Sequence, residues 1–221
     1  MGVIRLSSGN TFRNAIFALI GASLLLHVLS LTFSRTWMAD WRCTHHPVHA
    51  AVEMAGAVIA LIVAHLLLQL ERRGKGTSFN VAIAGALVGM GILDALHAVV
   101  HAGNTFVLLH SAATFVGGLL FALVWLPQFR GSDRLRWWPW GVLCTTSGFG
   151  IVAIAEPDRM PSMVVDGQFT SAAAFLNFAG GALMFVAAAR LVQTWRRTQK
   201  IDDLLFCLHC VLFGLAALMF E

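Results

Sequence analysis

Residues Val48–Leu70 read VHAAVEMAGAVIALIVAHLLLQL, a run of 23 residues interrupted only by His49, Glu53, His65 and Gln69. The hydrocarbon core of a bilayer takes about 20 mostly apolar residues in a helix. Inside it every backbone hydrogen bond must close within the segment, so the run is read as a spanning helix. Six further segments fit the same description: Phe12–Phe33, Phe79–Val100, Thr105–Leu126, Trp138–Ala155, Ser171–Gln193 and Leu204–Phe220. The fold expected is therefore all-α, a polytopic transmembrane bundle of about seven helices forming one domain over residues 1–221, with no soluble domain.

Composition agrees. Hydrophobic residues make up 58% of the chain and charged residues 12%, and the mean hydropathy is +0.76. A soluble domain runs nearer 45–50% apolar and about 25% charged. The net charge of +4 lies in short clusters between apolar runs, which indicates loops at a membrane surface and lipid headgroups as neighbours, not a nucleic-acid groove. The four cysteines, Cys43, Cys144, Cys207 and Cys210, show no disulfide framework. The first apolar run is followed by Arg35-Thr36-Trp37-Met38, without a small-residue cleavage pattern, and reads as a retained anchor.

Lys and Arg set the expected orientation. With the N-terminus in the cytoplasm, Arg5, Arg13, Arg72, Arg73, Lys75, Arg130, Arg134, Arg136, Arg190, Arg196, Arg197 and Lys200 lie inside, and Arg35, Arg42 and Arg159 outside. Twelve against three is a strong positive-inside bias. Trp37, Trp41, Trp125, Trp137, Trp138, Trp140 and Trp195 fall near the expected interfaces. The glycines at 85, 89, 91, 117, 118, 180 and 181 suit close helix packing. The longest outer loop is Glu156–Thr170, whose carboxylates, with Asp40, form a solvated rim.

The nine histidines are not scattered. His45 and His46 precede the second helix, and His49 and Glu53 share one of its faces at i, i+4. Asp94, His97 and His101 form a stripe on the third helix; His110 lies near the outer end of the fourth, and His27 in the outer half of the first. A short link makes the second and third helices antiparallel neighbours, so both stripes lie at similar depth. An ionisable group at the bilayer centre costs about 2.5–3.5 kcal/mol on translocon scales unless it finds a partner. Imidazole and carboxylate are such partners, and also the ligand set of a first-row transition metal such as Cu, Zn or Fe. His49, Glu53, Asp94 and His97 are the core candidates. His45, His46, His101, His110 and His27 are candidates for further ligands or for orienting them. A ligand-free hydrogen-bonded network, a haem between two facing histidines, and a proton or small-ligand site remain alternatives. His65 and His209 could pair; Cys207 and Cys210 are most simply packing. No soluble catalytic signature and no nucleic-acid module is present.

Three stretches carry a resemblance to a known family: His49-Ala50-Ala51-Val52-Glu53, Gly91-Ile92-Leu93-Asp94-Ala95-Leu96-His97, and the Pro157–Thr170 loop with its Asp-Gly turn. They resemble the third type of bacterial membrane-associated sensor domain, a multi-helix module usually found N-terminal to a diguanylate cyclase, histidine kinase or other signalling domain. The resemblance implies a multi-pass protein of the bacterial inner membrane. It also implies a late glutamate on the seventh helix, matched by Glu221 as a further metal candidate, then an eighth helix and an output domain beyond residue 221. The extra histidines at 45, 46, 101 and 110 depart from the pattern and suggest an expanded site.

The expected function is a sensory module whose outer histidine–carboxylate site takes a metal, haem or small ligand and biases helix packing. Its partners would be lipids, a second copy, or a signalling domain or protein. A membrane metalloenzyme or redox subunit, and a transport or structural subunit, are the alternatives.

Overall fold

The computed structural model describes residues 8–37, 46–75, 79–126 and 137–219. Seven helices run along the chain: α1 Ser8–Thr36, α2 His46–Arg72, α3 Asn80–Val99, α4 Asn104–Ala122, α5 Trp138–Ala155, α6 Ser171–Thr198 and α7 Ile201–Leu218. Among the described residues six of them, α2 to α7, are long and apolar enough to cross a membrane. In α1 the apolar stretch is shorter, Ile16–Leu26.

Local chemistry sets the helix ends. α2 stops in a Schellman turn: the Lys75 N–H donates to Leu70 O at 3.0 Å and the Gly74 N–H to Glu71 O at 2.9 Å, with Gly74 at φ +65, where only glycine avoids a Cβ penalty. α5 carries Pro139 in its first turn, where no backbone donor is needed. Thr170 caps α6 by accepting from the Ala173 N–H at 3.4 Å. α7 opens with Asp202 and Asp203, placed favourably for the helix dipole. The Thr198 hydroxyl donates to Asp203 at 2.9 Å and ties the end of α6 to the start of α7.

The helices pack in a chain of neighbours. α3 lies against α2, α4 and α5; α4 packs on α6, α6 on α7, and α7 on α1. Burial is uneven: 78% of α3's span is buried against 17% of α2's. Lipid tails are as apolar as the side chains, so helix association rests on close van der Waals fit. The closest crossing joins α4 and α6 at Gly118 and Gly180. A Cβ added at Gly180 would stand 2.6 Å from Thr114 O, so the two backbones touch and any side chain would part them. At the same end Trp125 donates its Nε1–H to Val186 O at 2.8 Å, and the Arg190 guanidinium lies 5.1 Å above the Trp125 ring.

The 156–170 loop folds back on itself. Two short strands, β1 Val164–Val165 and β2 Gln168–Phe169, pair antiparallel. Asp166 and Gly167 turn between them at φ +51 and +76, the positive values that a two-residue hairpin turn requires. Asn104, first residue of α4, pins this loop. Its Nδ2 donates to Pro161 O at 3.0 Å, and its Oδ1 accepts from the Met163 and Val164 N–H groups. Met163 is fully buried beneath.

Candidate metal centre

The short link between α2 and α3 brings the start of α2 beside the end of α3, and α4 returns along α3. Three ionisable side chains meet there. Glu53 Oε2 lies 2.7 Å from His97 Nε2, and His49 Nε2 lies 3.4 Å from Glu53 Oε1. The His49 and His97 Nε2 atoms are 3.4 Å apart. One ligand atom from each of the three falls within 4.8 Å of the others. His97 is buried, Glu53 partly so, and His49 half-exposed.

The orientation of His97 decides the chemistry. Its Nδ1 is 2.7 Å from Phe106 O. A carbonyl oxygen only accepts, so Nδ1 carries the proton and donates. In the neutral ring Nε2 is then the lone-pair nitrogen, and it faces a carboxylate oxygen and a second imidazole nitrogen. Lone pair against carboxylate at that distance is repulsive unless a proton or a cation lies between. Metal-ligating histidines commonly hold their other N–H on a backbone carbonyl in this way, fixing tautomer and ring orientation. A tetrahedral ion with bonds of about 2.0–2.1 Å separates its ligand atoms by about 3.3 Å. The two 3.4 Å separations match that edge; the Glu53 Oε2–His97 Nε2 contact of 2.7 Å is shorter, a hydrogen-bond length, so a small divalent ion fits the donor set once the Glu53 carboxylate shifts. Aromatic rings pack the His97 face: Phe106 at 3.8 Å and His110 at 5.1 Å between centroids.

The remaining sequence candidates are placed as follows. Asp94 lines a groove with Glu53 and His110 but is not one of the three grouped residues. His101 is exposed just beyond α3, on a small pocket that also involves His49 and Phe106. His27 lies on α1 and His46 opens α2; their side chains, like His45, Cys43 and Glu221 as a whole, are outside the described residues. His65 and His209 do not pair with each other. His65 Nε2 is 3.4 Å from Gln69 on its own helix, while His209 packs on Phe121 and Phe213. Cys207 and Cys210 are free and buried.

Sequence reasoning did not single out Phe106 or Asn104. A backbone carbonyl leaves no mark in the sequence. Asn104 left one, an asparagine directly after Gly103 at a helix start.

A family profile described as a membrane-associated sensor domain, MASE3, matches residues 41–221. No curated protein and no solved structure matches the chain.

Proposed function

The chain belongs to the MASE3 family of membrane-associated sensor domains, and from that premise we propose that it senses a first-row transition metal ion held by His49, Glu53 and His97. One observation carries the reading. The Phe106 carbonyl holds the His97 Nδ1 proton and turns the Nε2 lone pair onto a carboxylate and a second imidazole. The ion would neutralise Glu53 and fill the space between the three atoms. Open positions fall to water or to the signal itself. Nitrogen and carboxylate donors favour Zn, Cu or Fe over the hard cations Mg and Ca.

A haem axially bound by His49 and His97 is disfavoured, since the Glu53 carboxylate, 3.4 Å and 2.7 Å from their Nε2 atoms, occupies the plane a macrocycle would need. The positive-inside bias supports placing the site toward the outer face of a bacterial inner membrane, with the N-terminus in the cytoplasm. The ion shifts the packing of α2 on α3 and α4 to the extent that it binds one packing better than another. That shift passes to a second copy, an output domain or a partner protein at the opposite face.

The test is elemental analysis of the purified full chain, followed by titration with Zn, Cu(II) and Fe(II) salts and a visible spectrum. The expected result is one ion per chain, lost in His97→Gln. A chain that carries no stoichiometric metal and takes none up would overturn the reading in favour of a ligand-free polar network.

A further inference from the structure

A long groove separates α2 from α7, floored by Leu87 and Met90 of α3, with a volume of about 700 Å³. It runs from Glu53, Asp94 and His110 at one end to Leu70 and Asp202 at the other. The 17 residues from Glu53 to Leu70 span about 25 Å at 1.5 Å each, most of the hydrocarbon thickness of about 30 Å. Between those ends the lining is apolar except for one side chain, His209.

His209 is oddly placed. It lies mid-way along α7, its ring 4.4 Å from Phe213 and 5.1 Å from Phe121. Its Nε2 is buried and has no hydrogen-bond partner among the described residues. A buried polar group left unsatisfied costs about 1–3 kcal/mol, and such a group in a native structure calls for an explanation. Phe213 and Phe206 line the groove beside it. Gly56, across the groove on α2, has open space where a Cβ would stand.

We propose that this groove binds a lipid-soluble quinone or its quinol, with the oxygenated ring at His209 and the tail along α2. Three observations favour this occupant. The volume suits a small molecule, for which pockets run about 300–1,000 Å³. A phospholipid acyl chain fits the walls but brings no polar atom to the depth of His209. A flat ring bearing oxygen satisfies Nε2 in either form, a carbonyl accepting from Nε2–H or a hydroxyl donating to its lone pair, while its face meets the Phe213 ring. The site shares only Glu53 with the metal centre, with Gly56 one turn beyond it on α2, while His209 and Phe213 stand on α7, so neither reading depends on the other.

The test uses the purified full chain in quinone-free phosphatidylcholine nanodiscs, titrated with a decyl-substituted dimethoxy-methyl-benzoquinone and, separately, with palmitate. Binding is followed by the shift in thermal unfolding. The quinone is expected to bind and palmitate to compete poorly. His209→Phe keeps the ring and removes the nitrogens, and is expected to weaken quinone binding at least tenfold. His209→Gln, which keeps a donor and an acceptor, retains most of it, and Gly56→Phe, which fills the groove, abolishes it while leaving the response to zinc intact. Should His209→Phe fail to fold, the other two variants decide. The proposal is overturned if palmitate binds as well as the quinone, if His209→Phe binds the quinone like wild type, or if Gly56→Phe leaves binding unchanged.

Discussion

Glu53→Gln separates the charge of Glu53 from its shape. The amide keeps the length of the side chain and its NH2 can donate to the His97 Nε2 lone pair across the 2.7 Å contact, but it cannot neutralise a cation. Without metal, a hydrogen bond to a charged group contributes about 1.5–3 kcal/mol and an ordinary one about 1, so the variant is expected to lose about 1 kcal/mol of stability. With metal the loss is larger. Removing a group that merely orients a ligand costs about 10–100-fold in affinity, and removing the ligand itself costs at least the upper figure, about 100-fold. At zinc 100 times the wild-type Kd, binding stabilises wild type by about 2.7 kcal/mol; the variant at the same zinc gains about 0.4. At about 2–4 °C per kcal/mol for a chain of this size, zinc should raise the wild-type Tm by about 5–11 °C and that of the variant by about 1–2 °C. Differential scanning fluorimetry in detergent, with and without zinc, measures both. Equal zinc-induced rises in the two proteins, or none in wild type, would refute the ligand assignment.

Three further outcomes are expected. Gly180→Val inserts a side chain where a Cβ alone would stand 2.6 Å from Thr114 O; overpacking of this kind costs about 1–3 kcal/mol, and chemical denaturation of the purified protein should show it. Asn104→Ala removes the ties to Pro161, Met163 and Val164 and should raise hydrogen exchange across residues 160–165 well above wild type, with α6 unchanged. Single cysteines placed at positions 75 and 199 should react with a membrane-impermeant maleimide only after the cytoplasmic face is opened, and one at position 166 without opening it; the reverse pattern would invert the orientation.

The spans were legible because the bilayer permits one solution for a long apolar run. α5 begins and ends where hydropathy places it, Trp138–Ala155. α6 runs on to Thr198, past the apolar limit at Gln193, because a helix does not stop where the hydrocarbon does. The i, i+4 spacing of His49 and Glu53 and the matched depth of His97 pointed to the residues that meet. Asp94 was harder to place. It shares the stripe with His97, yet one turn along the helix was enough to aim it at the groove. The groove itself was not legible, since α2 and α7 are far apart in sequence and nothing in either segment records the gap between them. Nor was the hold on His97, which comes from a backbone oxygen that any residue at position 106 would possess.

The uneven burial of α2 and α3 has a mechanical consequence. His97 is set in the helix that its neighbours grip on three sides, while His49 and Glu53 ride on a helix packed chiefly against α3 and buried over only 17% of its span. On the proposed reading the site would act as a clamp with one fixed jaw and one free jaw, and the work of closing it on an ion would go into α2. From Glu53 to Glu71 that arm is about 27 Å long at 1.5 Å per residue. A tilt of about 4° pivoting at the cluster therefore swings the far end by about 2 Å. That end carries the glycine turn with Arg72, Arg73 and Lys75, where a sideways step of this size would drag a band of positive charge with it.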